Sequence, residues 1–172
     1  MRILVTGAAG LVGGEVCARL VAAGHSVTAL VHRNPDIRAN NGSAVDVARV
    51  LKGDVSAAHF GWDEGQWLEV SKGHDLLIHC AATVRFDLAE EDYRAVNLGG
   101  TANALALAEA GGMAFLHVST AYVCGTRDGP IREGDLLPDS GFANGYEASK
   151  AAGERLVQAS GFKTVVLDKD MQ

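Results

Sequence analysis

Apolar residues fall along this chain in short unbroken runs, and the segments between those runs carry apolar residues at helical spacing. Ile3 to Val5 is the first run; it stops at a small-residue turn, after which Leu11, Val12, Val16, Leu20 and Val21 recur at helical spacing up to Gly24. That pattern predicts strand, turn and helix. Ser26 to Val31 is the next β-rich run, Ala48 to Leu51 a weaker one and Asp75 to Cys80 another, separated by polar or helix-compatible sequence. Ala102 to Ala110 predicts a helix, Met113 to Val118 a strand, Glu147 to Gln158 a helix and Lys163 to Leu167 a strand. Strands that do not alternate, each followed by an amphipathic helix, are what a parallel sheet covered on both faces requires. Crossovers of one hand then give an α/β, doubly wound, mostly parallel sheet with helices on both faces.

No internal repeat or low-complexity linker interrupts the pattern. The least regular stretches are Asn34 to Ser43 and Gly125 to Gly145, the second holding five glycines and two prolines. Both read as loops. The second follows a strand's C-terminal end, where such sheets bind ligands.

Length and composition narrow the picture. A chain of 172 residues, 48% hydrophobic, can bury one sizeable core, so residues 1–172 read as a single domain. A net charge of −6 offers no basic stripe for a phosphate backbone, which argues against nucleic acid as a partner. Cys17, Cys80 and Cys124 form neither a metal-ligand pair nor a redox C-x-x-C, and read as thiols in a reducing cytoplasm. The N-terminal apolar run is too short for a signal-peptide core or a membrane span, so the expected location is cytoplasmic.

TGAAGLVG places Gly7, Gly10 and Gly13 between the first strand and the first helix, in the G-x-x-G-x-x-G form of the dinucleotide fingerprint of Rossmann-type sheets. Such glycines serve a tight turn, close backbone approach to a pyrophosphate and close packing of helix on strand. The helix N-terminus offers unpaired N–H groups to the phosphates, so Ala9, Leu11 and Val12 join the candidate cofactor-binding residues. The end of the second strand decides specificity at the 2′ position. It reads LVHRNPD, with Arg33 suited to a 2′-phosphate and Asp36 displaced beyond a proline, which favours NADP with NAD as the alternative.

Tyr146 and Lys150 stand four apart in YEASK, so both project from one face at the start of a helix. A nearby ammonium would draw the phenol's pKa down and fit it for proton transfer near neutral pH. The strand from Met113 ends in Ser119 and Thr120, whose hydroxyls would emerge at the same sheet edge. By themselves they read as a strand-end cap or turn rather than as catalytic groups. His79 and His117 lie inside strand segments and read as core histidines, since no third ligand is spaced for a metal. Trp62 and Trp67 read as core or loop anchors, and Glu90, Glu91 and Asp92 as a solvated helix beginning.

TGAAGLVG, GDVS, HCAA, VNLGGT, HVSTAYVCG and YEASK, in that order, resemble the extended branch of the short-chain dehydrogenase/reductase superfamily across essentially the whole chain. LKGDVSAAHFGWDEGQWLEV, HCAATVRFD and HVSTAYVCG look more narrowly like its fatty-acyl-CoA reductase and thioester-reductase branch. The resemblance implies that Asp54 contacts the adenine end with Val55 among the cofactor-binding residues, that Cys80, Ala81 and Ala82 line the cofactor trough, and that Asn97 supports the central helix and the active site. It also implies a catalytic set of Thr120, Tyr146 and Lys150, with Tyr146 and Lys150 touching the cofactor as well. The implied activity is NADPH-dependent reduction of a small-molecule carbonyl or acyl thioester, through a hemithioacetal in the thioester case. Other extended-type reductases and NAD-dependent sugar-nucleotide epimerases or dehydratases are the alternatives.

After TVVL the chain reads DKDMQ, where the family continues with a C-terminal lobe that shapes the substrate pocket. The expectation from this departure is a chain without its substrate lobe. A truncated product, a chain completed by a partner and a non-catalytic dinucleotide-binding module all remain open. So does homo-oligomerisation through an uncovered sheet edge.

Overall fold

The computed structural model describes residues 1–85, 87–132, 135, 138 and 141–162. The strand expected over 163–167 and the end of the chain lie outside the described residues. Five strands, β1 (Arg2–Thr6), β2 (Ser26–Val31), β3 (Arg49–Lys52), β4 (Leu76–His79) and β5 (Ala114–His117), form one sheet in the order β3-β2-β1-β4-β5. Every pairing is parallel, with Leu4 opposite both Thr28 and Leu77.

The unbroken apolar strands feed two cores, because successive side chains leave a strand on opposite faces. Ile3, Val5, Val27, Ala29 and Ile78 pack on one face with Cys17 and the inner side of α1 (Leu11–Ala22). Leu4, Leu30, Leu77 and Phe115 pack on the other with residues of α2 (Glu64–Lys72), α4 (Gly100–Gly111) and α5 (Gly145–Ala159). The doubly wound reading is correct, and the stretch from Asn34 to Ser43 is a loop, as expected. No helix joins β2 to β3; a compact loop does, closed by a bridge between Arg38 and Ala44.

The helix expected from Ala102 to Ala110 is the last part of a longer helical stretch. It begins as α3 (Glu90–Tyr93), widens to a π-helical segment over Arg94–Gly99, and continues as α4. A π-bulge leaves backbone groups out of the regular ladder and is frequent at functional sites. Asn97 lies in it.

Trp62 and Trp67 are core anchors, as expected: both are buried with Phe60, and the Trp62 indole donates to the Lys52 carbonyl at 2.7 Å. Phe60 keeps its ring in this cluster at a φ of 57°, a left-handed conformation that only strong tertiary contacts sustain. Its carbonyl receives the Asp54 N–H at 3.0 Å, so the aromatic cluster also fixes the turn that carries Asp54.

Candidate functional site

The C-terminal ends of β1, β2 and β4, with the loop after β3, surround a cleft of about 400 Å³. Gly7, Ala9 and Gly10 form one wall, Arg33 lies at the β2 end, Asp54 and Val55 follow β3, and Cys80, Ala81 and Ala82 follow β4. Nine of the residues expected to bind a cofactor therefore line one space. Gly13, Leu11 and Val12 stand behind it in the first turn of α1.

Gly7 adopts a φ of +66°, and a Cβ there would come within 2.7 Å of Ala81 backbone atoms. A Cβ on Gly13 would lie 2.2 Å from the Gly7 carbonyl oxygen. Gly10 is different: it is exposed and lines the cleft, and a Cβ would meet only the Gly7 oxygen, at 3.2 Å, so the protein's own packing constrains it far less. Gly10 is also the N-cap of α1 and supplies no side-chain cap, and the first turn holds no acidic residue. The N–H groups of that turn are left for an anionic ligand.

At the other end of the cleft, the Asp54 carboxylate accepts from the Ser56 N–H at 2.9 Å and the Ser56 hydroxyl at 2.6 Å. These bonds, with the charges of His32 and Arg33, hold it below the usual carboxylate pKa against a desolvation cost. His32 also lines the cleft, 3.6 Å from Asp54. Neither Ser56 nor His32 was expected as a site residue, although GDVS and LVHRNPD contain them. Asp36 is turned to Arg38, whose Nε donates to it at 2.7 Å.

Tyr146, Lys150 and Glu154 occupy successive turns of one face of α5 and meet the end of β5. Tyr146 is hydrogen-bonded to Thr120. The Lys150 ammonium donates to the Val118 carbonyl at 2.8 Å, and the Ser119 hydroxyl donates to Glu154 at 2.5 Å. The Glu154 contact was not foreseen. A helical i, i+4, i+8 face makes it legible in retrospect. Thr120 also caps a 3₁₀ turn (Ala121–Cys124), so the strand-end cap reading and the Tyr146 contact coexist.

The start of α5 is fixed by an Asn144 and Glu147 pair: Asn144 Oδ1 accepts from the Glu147 N–H at 3.0 Å, and Glu147 accepts from the Ala143 N–H at 2.8 Å. This is close to a capping box, and it sets the angular position of Tyr146 in the first turn. Asn97 bridges the loop after β4 to α5: it accepts from the Thr83 N–H at 2.8 Å and donates to the Ser149 hydroxyl at 2.9 Å.

One expectation is corrected. Burial raises the Tyr146 pKa above the ordinary phenol value, and the Thr120 hydrogen bond only partly opposes it. The ammonium of Lys150 is engaged by Val118, and burial lowers it to about 8. Cys80, which lines the cleft and feels the Lys150 charge, is pushed up to about 12 by burial, so its thiol is not a thiolate near neutral pH.

His79 and His117 stack in the core with ring centroids 5.6 Å apart. His79 Nδ1 bonds the Thr6 hydroxyl at 2.8 Å, whereas neither His117 nitrogen has a hydrogen-bond partner among the described residues. Burial, reinforced by the Lys150 charge, lowers the two to about 3 and about 2. Both are therefore neutral at pH 7. In the unfolded chain they regain a value near 6.5, so below that pH the unfolded state binds protons that the folded state refuses. Stability is expected to fall as pH drops from about 6.5 towards 3, by about 1.4 kcal/mol per pH unit for each histidine. Denaturant titrations between pH 7.5 and 4.5 measure this. His117→Phe should remove about one histidine's share of the slope; an unchanged slope would show that His117 takes up its proton while folded.

Residues 5–167 match the family described as male sterility protein. The chain is 32% identical over 167 residues to a dTDP-4-dehydrorhamnose reductase of Mycolicibacterium smegmatis, covering 92% of this chain and 42% of that protein. It is 35% identical over 177 residues to a 4-hydroxy-2-methyl-3-oxo-4-farnesyl-3,4-dihydroquinoline-1-oxide ketoreductase of Stigmatella aurantiaca, covering 97% of this chain and 49% of the relative. Among solved structures, the terminal R domain from the myxalamid PKS-NRPS biosynthetic pathway superposes with a TM-score of 0.85 at 28% identity, over 98% of this chain and 48% of that one. The chain thus spans less than half the length of each of these three proteins. No helix among the described residues is long and apolar enough to cross a membrane.

Proposed function

Because this chain belongs to the male sterility protein family of NAD-binding domains, we propose that it holds NADP(H) in the cleft and serves reduction of a carbonyl or acyl thioester. The observation that carries this reading is the cleft itself: the glycine loop and the uncapped start of α1 stand at one side, Arg33 at the far end of β2, and Cys80 in its wall feels the charge of Lys150. A pyrophosphate fits the uncapped N–H groups, and the space that a Cβ on Gly10 would take is open to it. The guanidinium of Arg33 would pair with a 2′-phosphate. Lys150 would reach the ribose beside the nicotinamide, and Ala81 and Ala82 would line the trough. NAD(H) is the second reading for the same space.

NADPH, when bound, supplies a hydride. The chain's own residues handle the oxygen. Tyr146 and Thr120, already hydrogen-bonded to one another, would both donate to the carbonyl oxygen as negative charge gathers there. A phenol whose pKa is raised keeps its proton at neutral pH, which suits it to donate in the direction of reduction. Lys150, with a pKa of about 8, is mostly cationic at pH 7 and stabilises the phenolate left behind. The likeness to a dTDP-4-dehydrorhamnose reductase supports a second substrate class, a keto sugar nucleotide, on the same residues.

Fluorescence titration with NADPH and NADH tests the cofactor. The chain is expected to bind NADPH at least about tenfold more tightly, the scale of one charge-assisted hydrogen-bonded pair. Arg33→Ala should remove the difference. Equal affinities in the unaltered chain, unmoved by Arg33→Ala, would end the assignment of Arg33 to a 2′-phosphate.

A further inference from the structure

The loop between β2 and β3 follows directly on Arg33, and α1 holds it by two contacts that the glycine fingerprint does not require. A Cβ on Gly14 would lie 2.0 Å from the Arg38 carbonyl oxygen, so only glycine lets the loop backbone rest on the helix there. The next residue, Glu15, accepts the Asn40 N–H at 3.1 Å through one carboxylate oxygen and the Arg19 Nε at 2.9 Å through the other. Ile37 anchors the loop in the core beside α1. Within the loop, Arg38 holds Asp36 at 2.7 Å and the Gly42 carbonyl at 2.9 Å, and the Val45 N–H donates to the Ile37 carbonyl at 3.0 Å.

We propose that Gly14 and Glu15 are positioning residues for cofactor choice: they seat the loop on α1 so that Arg33 faces the cleft and Asp36 is kept from it. This rests on the reading of Arg33 as the 2′-phosphate partner. The physical reason is preorganisation. An exposed arginine on a mobile loop gives up part of its binding free energy to ordering itself, whereas one that leaves a seated loop does not. The seating acts twice in the same direction. Asp36 is the acid nearest Arg33 in the loop, the kind of group that would bond a ribose 2′-hydroxyl, and the loop's fold commits it to Arg38. Loosening the seat therefore weakens the NADP-favouring group and frees the NAD-favouring one.

The test uses the full chain and four proteins: unaltered, Gly14→Ala, Glu15→Ala, and Glu15→Ala combined with Arg33→Ala. Dissociation constants for NADPH and NADH give the preference ratio, and amide hydrogen exchange at Asn40 and Val45 reports the seat. Glu15→Ala and Gly14→Ala should each speed exchange at both amides and lower the preference for NADPH by about five- to tenfold, part of a charge-assisted hydrogen-bond pair. NADH affinity should hold or rise. In the absence of Arg33 the Glu15 change should not alter the ratio further, since the two act through one contact. Should Gly14→Ala fail to fold, Glu15→Ala decides alone. An unaltered chain that prefers NADPH, with Glu15→Ala keeping that preference, overturns the seating proposal and leaves the Arg33 reading intact. An unaltered chain with no preference overturns both.

Discussion

Gly13→Val is expected to abolish dinucleotide binding while most of the helix content survives. The Cβ of any side chain at position 13 would stand 2.2 Å from the Gly7 oxygen, 2.8 Å from the Gly7 carbonyl carbon and 3.0 Å from the Ala8 Cα. All three are backbone atoms, which cannot rotate away as a side chain would. Nor can Gly7 retreat, since its other side is already against the Ala81 and Cys80 backbone. The whole loop must shift, and with it the uncapped first turn of α1, whose N–H groups would meet the phosphates on the proposed reading. Overpacking of this kind costs about 1–3 kcal/mol of stability, which a two-core domain can absorb. Binding, which needs several donors aimed at once, has no such reserve. Titration with NADPH beside circular dichroism measures both, and Gly10→Ala is the contrast, because a Cβ there strains only one contact, at 3.2 Å. Near-normal affinity in Gly13→Val would mean that the loop does not hold the pyrophosphate.

Tyr146→Phe is expected to leave NADPH binding within about threefold and to cut turnover by about 10²–10⁴, the usual share of a positioned general acid. Tyr146 is buried at the start of α5, so a phenylalanine keeps the packing and loses only the hydroxyl that bonds Thr120. The assay follows NADPH absorbance over acyl-CoA thioesters, acyl-carrier thioesters, aldehydes and keto sugar nucleotides. Two proteins are compared: this chain, and this chain joined to the remainder of the R-domain relative, of which it matches 48%. Holding a carbonyl in place contributes about 7–11 kcal/mol to such reactions. On the proposed reading Thr120, Tyr146 and Lys150 would polarise an oxygen, which by itself would not hold a long acyl chain in place. The joined protein is therefore expected to turn over and the shorter one to be slow. Turnover that survives Tyr146→Phe would remove the tyrosine from the chemistry, and activity confined to sugar nucleotides would retire the thioester reading.

The local and periodic parts of this protein were legible in its amino acids. Ile3 to Val5 followed by TGAAGLVG specifies strand, turn and helix within some twenty residues, and the strand cores lie where the unbroken apolar runs are. The i, i+4 pair Tyr146 and Lys150 shares a face on helical geometry alone. Asn144 and Glu147 could have been read as a cap by the same local logic.

Contacts between segments distant in the chain were settled only by tertiary packing. Nothing near Gly14 in sequence announces that the Arg38 carbonyl will rest on it, and the helical face that carries Glu154 does not say that the Ser119 hydroxyl will meet it. The β2–β3 connection was legible as a loop, but not that Ile37 would anchor it in the core. The Tyr146 pKa moved opposite to expectation for a related reason: spacing tells which groups lie side by side on a helix, but desolvation depends on everything packed around them. Periodicity is a property of one segment, so the amino-acid order carries it. Burial, backbone clearance and the balance between desolvation and charge are sums over many segments, and those exist only once the sheet has brought its strand ends together.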